Sequence, residues 1–208
     1  MTGSGPHGLL VALMEPDQSM EEEFNDWYDL EHTPQMSGVE GILSASRWMC
    51  VEGWPRYMAV YDLEHVDVLK SESYRGATGG HFTPWSRRIL ERVRGWRRIA
   101  LAGTDTAAGV TSAEAGALDF LQLGDLDAAR ALADQLSELP GVIQARAFDI
   151  PDEGLAAVVV EAGALADLPR ELPGANGRPL LRGSARYVRH WRRDPFAAFR
   201  AIDAGEVH

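Results

Sequence analysis

Short apolar runs and stretches of helical periodicity alternate along the chain, and the same order occurs twice. Each half predicts strand, helix, strand, strand, helix, strand, because short apolar runs bounded by turn residues favour buried strands. The predicted strands are residues 8–14, 42–49, 56–62, 96–101, 117–123, 141–148, 155–161 and 185–191. The predicted helices begin near Ser19, His65, Thr83, Asp125 and Ala164, and a terminal helix is expected over residues 195–202.

The first helix carries ionisable side chains where a surface helix normally buries apolar ones. With the helical repeat of about 3.6 residues, several side chains share its inward side. They are Met20, Phe24, Trp27, Tyr28 and Glu31, with His32 at the edge. Burying unpaired ionisable groups is costly, so their presence needs a reason. One interpretation is a cavity beneath the helix, and the other is a last turn that emerges into water.

The end of this helix is predicted from Pro34, because proline disfavours helical geometry in the residue before it. Three polar residues of the same segment, Asn25, Asp26 and Asp29, are predicted to point away from the inward side. Under the second interpretation, Glu31 and His32 would lie at a solvent-exposed rim.

The two halves of the chain can be aligned on each other. Residues 37–48 and 140–148 share a Gly-Val pair, then an alanine, an arginine and an aromatic residue at nearly the same spacing. Such a repeat indicates two copies of one supersecondary unit, and the order βαββαβ is the ferredoxin-like arrangement. Its uncovered apolar sheet face needs a partner, which the second copy supplies. The predicted fold class is α+β, with two tandem ferredoxin-like units whose antiparallel sheets pack face to face as an α+β barrel.

The predicted units are residues 1–103 and 117–208, the second including the terminal helix. Residues 104–116 join them, and their Gly, Ala and Thr content without periodicity predicts a linker or exposed connection. The second helix segment offers Leu132, Ala133 and Leu136 where the first offers aromatic and acidic residues. We therefore expect the second unit to be mainly scaffold with a filled core, and the first unit to carry the only functional pocket of this kind.

Composition narrows the classes of function. The chain has 208 residues, of which 45% are hydrophobic and 25% charged, as in ordinary globular proteins. Its formal net charge of −11 opposes binding to DNA, RNA or an anionic membrane. No apolar run approaches the roughly 20 residues of a membrane helix, and the N-terminal segment lacks signal-peptide features. Cys50 is the single cysteine, which excludes an internal disulfide and favours a cytoplasmic location.

Positive charge is almost wholly arginine and gathers in two runs, residues 87–98 and 182–193. These runs could attract an acidic small molecule, but solvated strand faces offset by nearby acids are the preferred interpretation. No Gly-x-Gly-x-x-Gly follows a strand, and no phosphate-binding loop or Gly-x-Ser-x-Gly elbow is present. Nucleotide, flavin and serine-hydrolase functions are therefore disfavoured. Histidine spacing supports no metal site, and neither a metal nor another cofactor is expected.

Three features carry a family resemblance: Phe24-x-x-Trp-Tyr-x-x-Glu-His-x-Pro34, the Gly38-Val39 turn, and Arg47-Trp48 on the following strand. The chain resembles EthD-like members of the dimeric α+β barrel superfamily, fused as a tandem repeat. The resemblance in fold covers nearly the whole chain, whereas the motif covers only the first half. It implies a pocket between the helices and sheet of one unit. Its relatives include cofactor-free monooxygenases of polycyclic aromatics, lactone isomerases, polyketide cyclases and dehydratases. Distant members bind haem, which would need an exposed axial histidine such as His32 or His81.

Candidate chemistry centres on His32, whose unperturbed pKa of about 6.5 would let it exchange protons at neutral pH. Glu31, whose pKa would be raised if it were buried beside aromatic rings, and Tyr28 are the other predicted catalytic residues. Arg47 is expected to neutralise a developing enolate, and His81 to join the pocket only if a lid closes. A solvent-exposed loop position is preferred for His81. The predicted substrate-binding residues are Trp27, Arg47, Trp48, Tyr57, Tyr61, His81 and Trp85.

Two classes of function follow from this pocket. The first is a cofactor-independent enzyme that uses acid–base chemistry on a small aromatic or polyketide-like molecule. Dehydration, cyclisation or isomerisation is preferred over cofactor-free oxygenation, which is the alternative. The second class is a small-molecule-binding protein without catalysis. Either would act as a monomer or homodimer.

Overall fold

The strands of the chain close into one antiparallel barrel, and short helices lie on its outside. The computed structural model describes residues 7–105, 107, 109–172 and 181–190. The strands are β1 (Gly8–Glu15), β2 (Ile42–Glu52), β3 (Tyr57–Leu63), β4 (Arg94–Gly103), β5 (Ala117–Leu123), β6 (Val142–Ile150), β7 (Leu155–Ala162) and β8 (Leu181–Arg189). Around the barrel they follow the order β1-β3-β2-β8-β5-β7-β6-β4, and β4 pairs again with β1. The predicted α+β barrel class is confirmed, as a single closed sheet.

The helices are short and most of those described belong to the first half. They are α1 (Glu21–Trp27), a π turn (Tyr28–His32), α2 (Thr33–Ser37), α3 (Glu72–Gly76), α4 (Pro84–Leu90) and α5 (Leu126–Ser137). Shorter 3-10 turns occur at Gln18–Met20, Val66–Lys70, Gly79–His81 and Leu165–Asp167. The Asp125 carboxylate caps α5 by accepting a hydrogen bond from Ala128 N at 2.8 Å.

Three apolar clusters hold these elements together. Along β1, Leu9, Val11 and Leu13 point into the barrel, whereas Leu10, Ala12 and Met14 face α1 to α4. This alternation follows from the period of two along a strand. The third cluster fills the space between α5 and its sheet, and it buries the predicted scaffold residues Leu132, Ala133 and Leu136.

The two halves contribute strands in the same spatial order, β4-β1-β3-β2 and β8-β5-β7-β6. The residues that are structurally equivalent in the two halves are not those that are matched when the sequences are aligned on their Gly-Val pairs. Gly41 and Gly141 are the matching turn residues, with φ of 86° and 88°, values that favour glycine. After each glycine, β2 and β6 shift register at the same point, between Ile42 and Ser44 and between Val142 and Gln144.

This register separates the two arginines that the alignment had matched. Ser46 pairs with Val60 and Arg146 pairs with Val159, so Ser46 and Arg146 occupy equivalent positions. Arg47 is one residue further along and faces the helices, opposite to the side that Arg146 faces. The match of Arg47 with Arg146 was therefore wrong by one position.

The helix that begins with α1 does not end near Pro34 as predicted, because the π turn and α2 continue it to Ser37. At the end of the π turn, Thr33 N donates to Tyr28 O, five residues back. Pro34 then lies in the first turn of α2, where a missing N–H is tolerated. The widened turn also changes which side chains face inwards. Asp29, predicted to point elsewhere, is only 6% exposed.

The connection between β4 and β5, which its composition predicted to be a linker or exposed connection, is buried in part and exposed in part. Ala107 and Ala115 are completely buried in the cluster that fills the barrel. Thr104 Oγ1 donates to Ala147 O at 2.8 Å, and Thr111 N donates to Asp62 Oδ2 at 3.0 Å. The small residues of this segment are therefore needed for packing against the strands.

A buried ion-pair cluster links the halves beside this connection. The Arg146 guanidinium bonds Asp62 Oδ1 at 2.9 Å and Glu161 Oε1 at 2.8 Å, and all three side chains are at most 1% exposed. It also donates to Gly109 O at 3.1 Å and Thr111 Oγ1 at 3.0 Å. Because β3 carries Asp62 while β6 and β7 carry the other two residues, the cluster joins both halves and the connection.

The predicted terminal helix, residues 195–202, lies outside the described residues. Within the described part of the chain, no helix has the length and apolar character needed to cross a membrane.

Candidate active site

The π turn places His32 among aromatic rings on the outer face of the barrel. Its ring stacks on Trp27, with centroids 4.5 Å apart and planes inclined by 17°. The edges of Tyr28 and of Tyr61 from β3 meet it at 5.3 Å and 6.5 Å. Trp27, Tyr28 and Tyr61 are at most 2% exposed and His32 is 8% exposed. The inward face of this helix is therefore buried, as the cavity interpretation required.

Burial sets the protonation state of His32. It lowers the pKa of His32 to about 4, while Glu31 opposes this and the positive charges of Arg98 and Arg47 lower the pKa further. Nδ1 of the ring is buried without a hydrogen-bond partner. The imidazole is therefore neutral at pH 7, rather than poised near its titration midpoint as the sequence suggested.

Two tyrosine hydroxyls share these surroundings. Burial raises the pKa of Tyr28 to about 12, against the opposing charge of Arg47, and raises the pKa of Tyr61 well above its ordinary value. Tyr28 Oη donates to Met14 Sδ at 3.7 Å. The neighbouring Tyr61 Oη lies close to the Tyr28 hydroxyl, which helps to raise the Tyr61 pKa, but the two groups are not aligned for a hydrogen bond and Tyr61 Oη has no other partner. Both hydroxyls are neutral at pH 7, and that of Tyr61 is available to a ligand.

A small cavity, here called the α1 cavity, lies beneath these rings. Its volume is about 30 Å³, which is room for roughly one or two water molecules. It is lined by Leu10, Ala12, Met14, Trp27, His32, Met36, Tyr61, Tyr74, Thr78, Phe82, Leu90, Trp96 and Arg98. Three predicted residues, Trp27, His32 and Tyr61, therefore meet at one cavity whose walls are otherwise mainly apolar.

Glu31 does not line this cavity. Its Oε1 accepts hydrogen bonds from Thr83 Oγ1 at 2.6 Å, Ser86 Oγ at 2.9 Å and Trp27 Nε1 at 3.2 Å. Thr83 and Ser86 belong to the start of α4, so Glu31 ties α4 to the π turn. The geometry fits a structural carboxylate better than the second proton-transfer group that the sequence suggested.

Arg47 lies beneath α1 but also outside the α1 cavity. It bonds Asp29 Oδ1 at 3.1 Å and Asn25 Oδ1 at 2.6 Å, and its guanidinium carbon lies 4.4 Å from the centre of the Tyr28 ring. Tyr57 stands on the other side of the same network, where its hydroxyl donates to Glu21 Oε1 at 2.7 Å. Both residues support the position of α1 and of Tyr28.

A larger open groove, here called the seam groove, runs beside Arg47 where the halves meet. It has a volume of about 420 Å³ and is lined by Asp29, Thr33, Ser37, Ala45, Ser46, Arg47, Ala113, Arg189 and His190. Burial and the charge of Arg47 lower the pKa of His190. Arg47 and Asp29 already pair with each other here. Thr33, which also lines the seam groove, has a buried hydroxyl without a partner, whereas the α1 cavity is lined by two such residues, His32 with its Nδ1 and Tyr61 with its hydroxyl.

Three other predicted substrate-binding residues are not brought to the cavity. Trp48 lies inside the barrel, because Arg47 faces the helices and successive strand residues face opposite sides. Trp85 on α4 is half-buried and packs against the helix cluster without lining the cavity. His81 is exposed and borders a shallow depression near Pro34 and Gly38. The solvent-exposed position preferred for His81 agrees with this placement.

Residues missed by the sequence analysis complete the cavity wall. β4 contributes Trp96 and Arg98, and the segments around α3 and the Gly79–His81 turn contribute Tyr74, Thr78 and Phe82. The alternation along β4 carried a signal, because Ile99 and Leu101 fill the barrel while Trp96 and Arg98 face the other way. This alternation was overlooked because residues 87–98 were interpreted as a solvated basic run.

Comparison with known proteins identifies the fold. No family model matches the chain, and no curated protein matches it in sequence. Among solved structures, a putative monooxygenase from Fusobacterium nucleatum is 7% identical with a TM-score of 0.61, over 92% of this chain and 94% of that one. An anthrone oxidase-like protein is 14% identical with a TM-score of 0.60, over 93% and 95% of the two chains. The chain has their α+β barrel fold. At such low identity the likeness extends to the fold alone.

A haem-binding protein from Thermus thermophilus shares the fold too, with 9% identity and a TM-score of 0.57, over 95% of both chains. Neither His32 nor His81, the two histidines that the resemblance suggested, is placed to hold a haem. His32 is stacked beside a cavity of about 30 Å³, whereas ligand pockets generally measure about 300–1,000 Å³. His81 is exposed without an enclosing pocket, and the space beneath α5 is filled with apolar side chains. Within the described residues, no group of three His, Cys, Asp or Glu side chains is placed to hold a metal.

Proposed function

We propose that this chain is a cofactor-independent enzyme that oxygenates a small aromatic or polyketide-like molecule in the α1 cavity. The observation that carries the proposal is a neutral, buried imidazole next to a tyrosine hydroxyl, neither of which has its hydrogen bonds satisfied within the protein. A buried polar group without a partner is costly, and a ligand oxygen would supply one. Stacked aromatic walls suit a flat substrate.

In the proposed reaction, His32 removes a proton from an activated C–H group of the substrate. The carbanion transfers one electron to O₂, and the resulting radical and superoxide combine into a peroxide anion. His32 returns its proton to give the hydroperoxide, which loses water. A CH₂ group and O₂ thus become a ketone and one H₂O, with atoms and electrons balanced. Tyr61 donates a hydrogen bond to the substrate oxygen that carries the developing charge.

Oxygenation replaces dehydration as the preferred reaction for a physical reason. Dehydration needs an acid that protonates the departing hydroxyl group. His32 is unprotonated at pH 7, and burial makes the hydroxyls of Tyr28 and Tyr61 weaker acids than usual. In the proposed oxygenation the base acquires its proton in the first step and returns it to the peroxide anion, and water is then lost by cleavage of a weak O–O bond instead of a C–O bond. The names of the monooxygenase and anthrone oxidase-like neighbours support the same choice.

We further propose that the barrel consists of two tandem ferredoxin-like units, residues 1–103 and 117–208, with EthD-like ancestry. The shared strand order and the matching bulges after Gly41 and Gly141 support this. The first unit would carry the site and the second would mainly be scaffold. The protein would act in the cytoplasm on a diffusible small molecule.

Substrate entry requires movement, because the cavity is smaller than an aromatic ring system. Thr78 and Phe82 line it on either side of the Gly79–His81 turn. A Cβ atom added at Gly79 or Gly80 would meet nothing within 4 Å, so space surrounds this turn. We propose that this segment swings outwards to admit the substrate and excludes water when it returns.

The stoichiometry with anthrone tests the reaction. We expect one O₂ consumed for each anthraquinone formed, ¹⁸O from ¹⁸O₂ in the new carbonyl, and no H₂O₂ release. Tyr61→Phe should lower the rate while the melting temperature is unchanged. Product formation at the same rate without O₂ would favour dehydration, cyclisation or isomerisation of related substrates. Tight binding without turnover of any candidate would favour the non-catalytic binding protein.

A further inference from the structure

We propose that Arg98 recognises an oxyanion on the substrate, so that the α1 cavity binds an anionic aromatic compound more tightly than a neutral one of the same shape. The oxyanion would be a carboxylate or an acidic phenolate attached to the ring system. This inference rests on the proposed function, because it assigns the substrate class of the same cavity.

The position of Arg98 comes from the register of the barrel. Arg98 on β4 pairs directly with Ala12 on β1, and both residues line the cavity. The short side chain of Ala12 leaves room beside the guanidinium, which lies 5.4 Å from the centre of the Tyr74 ring and donates to the Tyr74 hydroxyl. Arg98 is itself exposed to solvent. It therefore stands where the cavity meets water.

Its bonding differs from that of three other arginines of the first half. Arg97, the adjacent residue on β4, pairs with Glu153, and Arg88 on α4 pairs with Glu23. Arg47 pairs with Asp29. Among the described residues, no carboxylate forms an ion pair with Arg98, whose hydrogen bond goes to a neutral phenol. Arg98 therefore retains N–H donors and a full charge for an external anion.

Other residues that line the same cavity supply the complementary groups. His32 Nδ1 and Tyr61 Oη are buried without partners, and the wall between them and Arg98 is apolar and aromatic. A ligand that satisfies all three is flat and apolar in the middle, with an anionic group at one end and a polar reacting group at the other. Arg98 and Arg47 both act electrostatically on His32. An anion bound at Arg98 would offset that positive charge and make the imidazole a stronger base.

The test uses 2-naphthoate and 2-naphthamide, a pair matched in shape and differing in charge, with tryptophan fluorescence of the full chain as the readout. We expect the parent to bind 2-naphthoate at least about 10-fold more tightly. Arg98→Gln should weaken 2-naphthoate binding by about 10–100-fold and leave 2-naphthamide unchanged, as for loss of a charge-assisted hydrogen bond. Arg98→Lys should recover part of the affinity, which shows that the site is intact.

Arg94→Gln is the matched control, because Arg94 lies on the same strand, is exposed and does not line the cavity. It changes net charge equally and should leave both affinities unaltered. An equal loss in Arg94→Gln, no loss in Arg98→Gln, or no binding of 2-naphthoate to the parent would each overturn the proposal. Oxygen-dependent turnover of anthrone would still support the proposed function in those cases. Selective 2-naphthoate binding without any turnover would instead support anion recognition by Arg98 and contradict the proposed oxygenase function.

Discussion

The imidazole of His32 lies nearly flat on the indole of Trp27, at 4.5 Å and an inclination of 17°. Trp27 is itself fixed, since its Nε1 donates to Ser86 Oγ at 3.0 Å and Glu31 Oε1 at 3.2 Å. The stack therefore holds the histidine ring in one orientation without using either of its nitrogens. Because the ring is held by stacking, one nitrogen is available to accept a proton and the other to donate a hydrogen bond.

Replacing His32 by glutamine should separate catalysis from folding. The amide keeps polarity and approximate size but cannot exchange protons near pH 7, so anthrone turnover should fall by about 10²–10⁴-fold. Binding and melting temperature should stay near those of the parent. His65→Gln, which changes an exposed histidine outside the cavity, is the control and should retain full activity. If His32→Gln kept most of the activity, another group would have to transfer the proton.

The lowered pKa of His32 predicts how stability depends on pH. Folded His32 has a pKa of about 4, whereas the unfolded chain has its ordinary value of about 6.5. Between these values the unfolded state binds the extra proton, so stability is greatest above pH 6.5 and falls as pH decreases. From pH 7 to pH 5 the loss attributable to His32 should be about 2 kcal/mol.

Urea unfolding at both pH values measures this loss. The free energy of unfolding of His32→Gln should decline less than that of the parent, by about the same 2 kcal/mol. The difference between the two proteins cancels the contributions of other titrating groups, such as His190, whose pKa is also lowered by burial. Parallel declines in both proteins would contradict a buried, neutral His32.

Glu31 should matter for stability and not for proton transfer. Glu31→Ala removes the acceptor shared by Trp27, Thr83 and Ser86, and the free energy of unfolding should drop by about 2–4 kcal/mol because buried donors lose their partner. Turnover per folded molecule at low temperature should change less than about 10-fold, in contrast to loss of a catalytic acid or base. Glu22→Ala, at an exposed position of α1, is the control. A collapse of turnover in a fully folded Glu31→Ala protein would restore Glu31 as a catalytic candidate.

Much of the barrel was predictable because buried strands occur as short apolar runs bounded by turn residues. The β1 strand is such a run, since one of its faces fills the barrel interior and the other packs against the helix-facing cluster. The two halves share their strand order, but the sequence alignment between them followed Gly-Val pairs instead of conformation. The positive φ of Gly41 and Gly141 decides the true match, and backbone angles are not visible in residue letters.

The candidate site was predictable in part for a similar reason. Helical periodicity brought Trp27, Tyr28 and His32 together correctly. The π turn has no sequence signature, yet it continues the helix past Pro34. Side chains from β4 were missed because residues 87–98 were interpreted as a solvated basic run, although the alternation along the strand separates its two faces.

The cluster of Asp62, Arg146 and Glu161 gives the sharpest test of how the two halves are joined. Arg146→Met keeps the volume of the side chain but leaves two carboxylates buried, each without its cation. Removing one partner of a buried ion pair costs about 3–5 kcal/mol, so the free energy of unfolding should fall by at least that amount. Arg97→Met is the matched control, because Arg97 pairs with Glu153 while 42% of its side chain is exposed, and its cost should stay below about 1 kcal/mol. Arg146→Met should also free the connection that donates from Thr111 N to Asp62, which hydrogen exchange of residues 109–112 would detect. Equal and small costs for the two variants would show that the halves are held by apolar packing alone.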